Sequence, residues 1–356
     1  MLRSMDSAVS GLRAHQNKLD VIGHNIANVN TNGFKSQSYT FKDTMYQTST
    51  ASTNGTNTAG GVNAAQYGYG ALMGVISMDM TASTPTYKSG FNATIDGDGF
   101  FITKSSRPNT NMTVNGKGDE DVLKGNDLAF TRVGQFSVDS NGYITDGNGN
   151  FVFGFRAGAD VRNPAPTDGS KVLEALRVPT VGSIEVVDGV ATITGRIHDV
   201  DDDANTLPTG ESVKALEAID IQINKMGDIQ VTVKVEYEET VQDPNNPGNT
   251  TTVNKADTFT INMGQVAIAT FQNQDGLTKD GNGYYTATSR DNTGTCSAGV
   301  PGDGRATLMP GYLEASNVDM ATEFSEMIMT QRGFQANSKI ITVSDEILND
   351  LINMKR

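Results

Sequence analysis

"VDMATEFSEMIMTQRGFQANSKIITVSDEILNDLINMKR", residues 318–356, contains no proline and one glycine, Gly333. Those residue types are the strongest helix interrupters, so the stretch predicts one long helix. Ser316 with Asp319 gives it a start like a capping box. Met320, Met327, Phe334, Ile341 and Leu348 recur at seven-residue steps, while the alternate core position reads Phe324, Gln331, Ser338, Asp345 and Ile352. A simple two-stranded coil fills both positions with aliphatics. Ile328, Ile340, Ile347 and Leu351 fall on other faces. A helix apolar on several sides is buried on several sides. One chain offers too little nearby material for that, so the end is read as joining copies of itself.

The other terminus has a matching pattern. Leu2, Met5, Val9, Leu12, Leu19, Ile22 and Ile26 lie at helical spacing, forming one stripe interrupted at Gln16. Asn28, Asn30, Asn32 and Gly33 then stop the helix, since their side chains compete for backbone hydrogen bonds and tolerate left-handed geometry. Residues 1–40 carry Arg3, Arg13, Lys18 and Lys35 against Asp6 and Asp20. Residues 313–356 carry more acids than bases. These balances favour pairing of the two ends, at roughly 0–1 kcal/mol per exposed pair.

Between the ends the pattern changes. Residues 47–70 are small and polar and read as a linker or extended arm. Residues 93–104, 129–155, 183–197 and 219–239 alternate like strands, with Asp-Gly and Asn-Gly pairs suited to hairpin turns. Residues 198–211 and 241–257 read as loops. The predicted fold class is α+β: N- and C-terminal α-helices that pair, and an antiparallel β-rich middle between them in the chain. The expected division is 1–32 with 316–356 as the terminal-helix domain, 33–70 as the arm, and 71–157 with 258–315 as an inner β domain. Residues 158–257 supply the remainder of that domain, a small outer domain, or both.

Composition narrows the function. The net charge of −14 argues against nucleic-acid binding. The single cysteine, Cys296, gives neither a disulfide framework nor a zinc signature and reads as an inert small residue in a loop. His15 and His24 have no cysteine or paired acid at metal-ligand spacing. His198 beside Asp199, Asp201, Asp202 and Asp203 is the most metal-like cluster, and reads as a solvated acidic loop. "DSNGYITDGNGN" (139–150) reads as two β-turns rather than a calcium loop, its glycine falling at the fourth place. No phosphate loop or nucleophile–base pair stands out, so no enzyme activity and no cofactor are expected. The start lacks the apolar core of a secretory signal and no run has bilayer length. By itself this reads as a cytoplasmic chain without membrane insertion.

At this point a resemblance appears. "SGLRAHQNKLDVIGHNIANVNTNGFKS" (10–36) and "GYLEASNVDMATEFSEMIMTQRGFQANSKIITVSDEILNDLINMKR" (311–356) closely resemble the two terminal signatures of the bacterial flagellar rod and hook axial proteins. "TIDGDGFFIT" (94–103) and "GQVAIATFQNQDGL" (264–277) resemble their inner β segments. The C-terminal "TEF" and closing "MKR" look most like hook members. The resemblance implies export through the flagellum's own channel without a cleaved signal peptide, which replaces the cytoplasmic reading with an extracellular, flagellar one. It also implies self-assembly into a helical tube, with the paired terminal α-helices as its helical inner layer and a small inserted outer part in the β-rich middle. The further implied partners are hook cap, distal rod and hook–filament junction proteins and the export apparatus.

The candidate subunit-interface residues are Leu12, Leu19, Ile22, Asn25, Ile26 and Asn28 at the N-terminus. At the C-terminus they are Phe324, Met327, Ile328, Phe334, Ile341, Leu348 and Ile352. The expected function is a hook structural subunit that forms a flexible curved tube transmitting torque. A distal-rod subunit is the alternative within the family, and a secreted binding protein the alternative outside it.

Overall fold

The computed structural model describes residues 2–56, 60–88, 90–106, 112–114, 119–156, 171–178, 184–187, 190–193, 213–242, 250–302 and 306–354. Among them are three α-helices, α1 (Leu2–Ala27), α2 (Glu120–Gly125) and α3 (Met320–Met354), and many strands, all paired antiparallel. The fold is α+β. The chain divides into two compact units: Met1–Thr81 with Ser316–Arg356, and Ala82–Ala315.

The first unit contains both long helices. Asn28 N–H donates to the Asn25 carbonyl, Thr31 N–H to the Asn28 carbonyl, and Gly33 takes φ +69°. Thus α1 ends in the asparagine-rich turn, as its sequence predicts. The start of α3 differs from the expected capping box: the cap is Asp319 itself. Its carboxylate accepts from Ala321 N–H at 2.9 Å and from the Thr322 hydroxyl at 2.8 Å. These bonds, the Thr322 hydroxyl first, hold its pKa below the ordinary carboxylate value.

The expected arm is a two-part β-ribbon. Strands β1 (Gln37–Asp43) and β4 (Ala71–Met78) pair over most of their length, and β2 (Tyr46–Thr50) pairs with β3 (Ala65–Gly68) farther out. Every residue of β2 and β3 is exposed. Their polar sequence concealed them, because ladder hydrogen bonds require no apolar side chains. Residues 71–81 belong with this unit rather than with the β domain.

Two polar side chains, one buried and one half-buried, knit the unit where its segments meet. Lys35 is fully buried and donates to the Thr81 carbonyl at 2.7 Å. The Asn317 amide accepts from Ser36 N–H at 2.7 Å and donates to the Asp79 carbonyl at 2.8 Å.

The second unit is built on one antiparallel sheet whose path runs Val213–Ile223, Asp228–Gln242, Thr250–Val266, Phe151–Arg156, Phe100–Lys104, Ala129–Thr131, Tyr284–Thr286 and Thr278–Gly281. Residues 213–242 and 250–266 are thus continuous with the main sheet. The reading of 241–257 as a loop is corrected: Gln242 pairs with Thr250, so only 243–249 lies between the strands, outside the described residues. A separate hairpin joins Ile184–Val187 to Val190–Ile193. The cluster at 198–203 also lies outside the described residues.

Phe101, Val152, Ile229, Val231, Val266 and Ile268 lie in one buried cluster, in which Phe101 meets Phe136 edge-on at 5.1 Å. Each such large side chain contributes roughly 1.5–3 kcal/mol by leaving water. The hairpin turns follow from the sequence. Asp139 accepts from Asn141 and Tyr143 N–H, and Asp146 from Asn148 and Asn150 N–H. Gly142 and Gly149 adopt φ of +83° and +84°. These carboxylate oxygens are engaged by turn amides, as two β-turns require.

One element in this core had no sequence forecast. Arg132 and Glu314, both buried, form an ion pair at 2.8 Å, and Arg132 also donates to the carbonyls of Gly97 and Gly99. Glu314 further accepts from Ser83 N–H at 3.1 Å. Cys296 lies buried in the strand Cys296–Gly299 rather than in a loop, and burial pushes its thiol up to about 11.

Candidate self-assembly surfaces

The helices α1 and α3 run antiparallel, with Asn25 beside Glu323, His15 beside Gly333 and Gly11 beside Asn337. Small residues set the spacing of this seam. A methyl group placed on Gly11 would lie 2.8 Å from the Asn337 side-chain nitrogen, and one on Gly333 2.6 Å from the His15 ring. Ala8, Ala14, Val21, Ile22 and Asn25 are buried on α1, and Thr330 and Ser344 on α3. The two buried hydroxyls donate to carbonyls one turn back, at 2.7 and 2.8 Å. Back-bonding of this kind satisfies a hydroxyl without an external partner.

Asn25 connects three segments. Its amide nitrogen donates to the Gln37 carbonyl and to the Glu323 carboxylate, each at 2.8 Å, while its oxygen accepts from Gln37 N–H at 3.0 Å. It therefore acts as a backbone clamp between the end of α1 and the start of β1. Burial raises the Glu323 pKa, an effect opposed by the Asn25 hydrogen bond. Lys18 pairs with Glu326 at 3.0 Å and lies 5.7 Å from the Phe41 ring centre. His15 packs against the same ring at 5.1 Å, and burial, then nearby Lys18, lower its pKa.

The candidate residues separate into inner and outer groups. Ile22 and Asn25 are buried inside their own chain. Leu12, Leu19, Ile26, Met327, Ile341 and Leu348 are half-buried. Asn28 is also half-buried and bonds locally, donating to the His24 carbonyl and accepting from the Thr31 hydroxyl. Phe324, Ile328, Phe334 and Ile352 are exposed, as are Met320, Met329, Ile340, Val343, Ile347, Leu351 and Met354. An apolar surface of this extent on one helix makes it the candidate interaction face.

The second seam row on α3 consists of Glu323, Thr330, Asn337 and Ser344, not the row beginning at Phe324. Sequence reasoning also missed Lys35, Asn317, Arg132 and Glu314. Arg132 did leave a trace, as a cation set between Phe130 and Phe136 in an otherwise apolar hairpin run. Among the described residues, no group of three His, Cys, Asp or Glu side chains is arranged to hold a metal. No described helix is long and apolar enough to cross a membrane.

Comparison with known proteins adds an independent line. A family model described as "Flagellar basal body rod FlgEFG protein C-terminal" matches residues 309–354, and one described as "Flagella basal body rod protein" matches 5–35. "Flagellar basal-body rod protein FlgG" of Bacillus subtilis is 35% identical over 359 positions, covering all of both chains. "Flagellar hook protein FlgE" of Borreliella burgdorferi is 28% identical over 464 positions, again covering both. Its Salmonella typhimurium namesake is 27% identical over 439 positions, covering 99% of this chain and all of its own. Among solved structures, Helicobacter pylori flagellar hook protein FlgE2 aligns with 65% of this chain and all of its own, at 12% identity and a TM-score of 0.35.

Proposed function

Because this chain belongs to the flagellar rod and hook family, and is therefore a structural component of the flagellum, we propose that it is a subunit of the hook. On this reading, copies polymerise into a flexible curved tube that passes motor torque to the filament. The observation supporting it is the apolar surface that α3 retains after pairing with α1, with Phe324 at 46% and Ile328 at 59% exposure. At roughly 25 cal/mol per Å² of apolar surface removed from water, such a face favours association once several neighbours surround it.

Its first partner is further copies of itself. A hook cap, the distal rod, hook–filament junction proteins and the export apparatus follow from the same reading, with an extracellular destination reached without a cleaved signal peptide. No cofactor, nucleic acid or membrane insertion enters it.

A distal-rod subunit is the second reading. It is favoured by the Bacillus relative, named a rod protein and matched over 359 positions, a length close to that of this chain. Immunogold labelling with antibody to the full chain separates the two. Label on a short curved segment between cell and filament supports the hook. Label seen only after envelope removal, on a straight axle, supports the rod. Label away from any appendage overturns both.

A further inference from the structure

Seven of the exposed apolar residues of α3 form two stripes, with Met329 and Phe334 exposed between them. Met320, Phe324 and Ile328 make one near its start, and Ile340, Val343, Ile347 and Leu351 make another toward its end. Both step by three or four residues, so each is a ridge of the kind that seats in a helix groove. The seam register exhausts α1 near the second stripe: with Gly11 beside Asn337, Leu2 falls near Ile347. About the last two turns of α3 therefore project past α1, with Ile352 and Met354 highly exposed.

At 1.5 Å and 100° per residue, Phe324 and Ile347 stand about 35 Å apart along the helix and about 140° apart around it. No single chain can bring its own two stripes together. A twofold pair cannot join both at once either, because the stripes do not share a face. A contact in which the first stripe of one copy meets the second stripe of the next is heterologous, and it propagates instead of closing.

We propose that these stripes are the two halves of a head-to-tail contact between copies of this chain: the Phe324–Ile328 stripe of one copy packs against the Val343–Ile347 stripe of another. The copies are displaced by about 35 Å along α3. This rests on the reading of the chain as a self-assembling axial subunit, and it identifies which surfaces of α3 assemble and with what polarity.

The test uses full-length chains carrying Cys296→Ser with either Phe324→Cys or Ile347→Cys. The two are mixed, assembled and treated with a short bis-maleimide. Crosslinked dimers in the mixture, and none when either variant is assembled alone, is the expected result. Crosslinks within one variant alone, or none in a mixture that pellets as polymer, overturns the contact. Sedimentation of the unaltered chain is the separate control: failure to polymerise there removes the functional reading itself.

A second pair covers variants that do not assemble. Phe324→Asp and Ile347→Asp chains are each expected to stay monomeric, and to yield dimers and nothing larger when mixed, since one intact stripe remains on each. Absence of complementation counts against the proposal.

Discussion

Asn25 and Glu323 lie 298 residues apart in sequence and share a 2.8 Å hydrogen bond at the seam of the terminal helices. The same Asn25 amide also satisfies both backbone groups of Gln37. Asn25→Ala removes these partners from a buried site. Leaving them unsatisfied costs about 1–3 kcal/mol. The expected outcome is a lower denaturation midpoint together with faster amide exchange at Gln37. Unchanged exchange at Gln37 would contradict the clamp.

Arg132 and Glu314 give a prediction of coupling. Removing one partner strands a buried charge, so Arg132→Met or Glu314→Leu alone is expected to cost about 3–5 kcal/mol. Arg132→Met with Glu314→Leu should cost much less than the sum, because neither charge then remains buried. Urea denaturation of the two single variants and the double completes the cycle, and simple additivity would argue against the pair.

Glycines at two positions should respond to alanine to very different degrees. At Gly134 the new methyl would lie 1.7 Å from the Ala93 carbonyl oxygen. Neighbouring backbone must move, so Gly134→Ala is expected to destabilise by several kcal/mol, at the severe end for single substitutions. At Gly333 the obstacle is the His15 ring, a side chain able to shift, while alanine gains about 1 kcal/mol in helix propensity. Gly333→Ala should therefore be near neutral. Thermal denaturation of both variants checks the contrast.

His15 makes the helix pair sensitive to acid. Burial and Lys18 lower its folded pKa below 6.5. Between that folded value and 6.5 the unfolded chain binds more protons, so stability falls as pH drops below 6.5. Glu323, whose pKa is raised from 4.5, acts in the opposite sense, losing stability as pH rises above that value. The His15 effect is therefore read as a difference. His15→Gln should flatten the melting-temperature profile as pH falls below 6.5, relative to the unaltered chain. Parallel profiles would reject the assignment.

Much of the architecture is legible in the sequence. The proline-free run after Val318 is α3, the asparagines after Ile26 end α1, and Gly142 and Gly149 turn hairpins as Asn-Gly pairs predict. The helix seam is not legible from hydropathy, for a physical reason. The helices approach through Gly11, Ala14, Gly333 and Thr330, and close packing of small groups leaves Phe324 and Ile328 outside. A pattern reading follows the large apolar side chains, and small residues at a close helix approach leave it nothing to follow. The β2–β3 ribbon was hidden for the converse reason, since it is held by backbone pairing among exposed residues. Lys35 and Asn317 depend on partners far along the chain, beyond the reach of any local pattern.

The antiparallel seam also imposes an order of events. A ribosome makes α1 first and α3 last, and the whole of Ala82–Ala315 emerges between them. Closing so long a loop adds only a logarithmic entropic penalty, so the delay is one of availability. Until the chain has grown past Met320, the small-residue face of α1 has nothing to zip against. The β unit itself closes only when Tyr312–Glu314 pairs with Pro85–Tyr87, and the terminal unit, finished last, remains open through nearly the whole of synthesis.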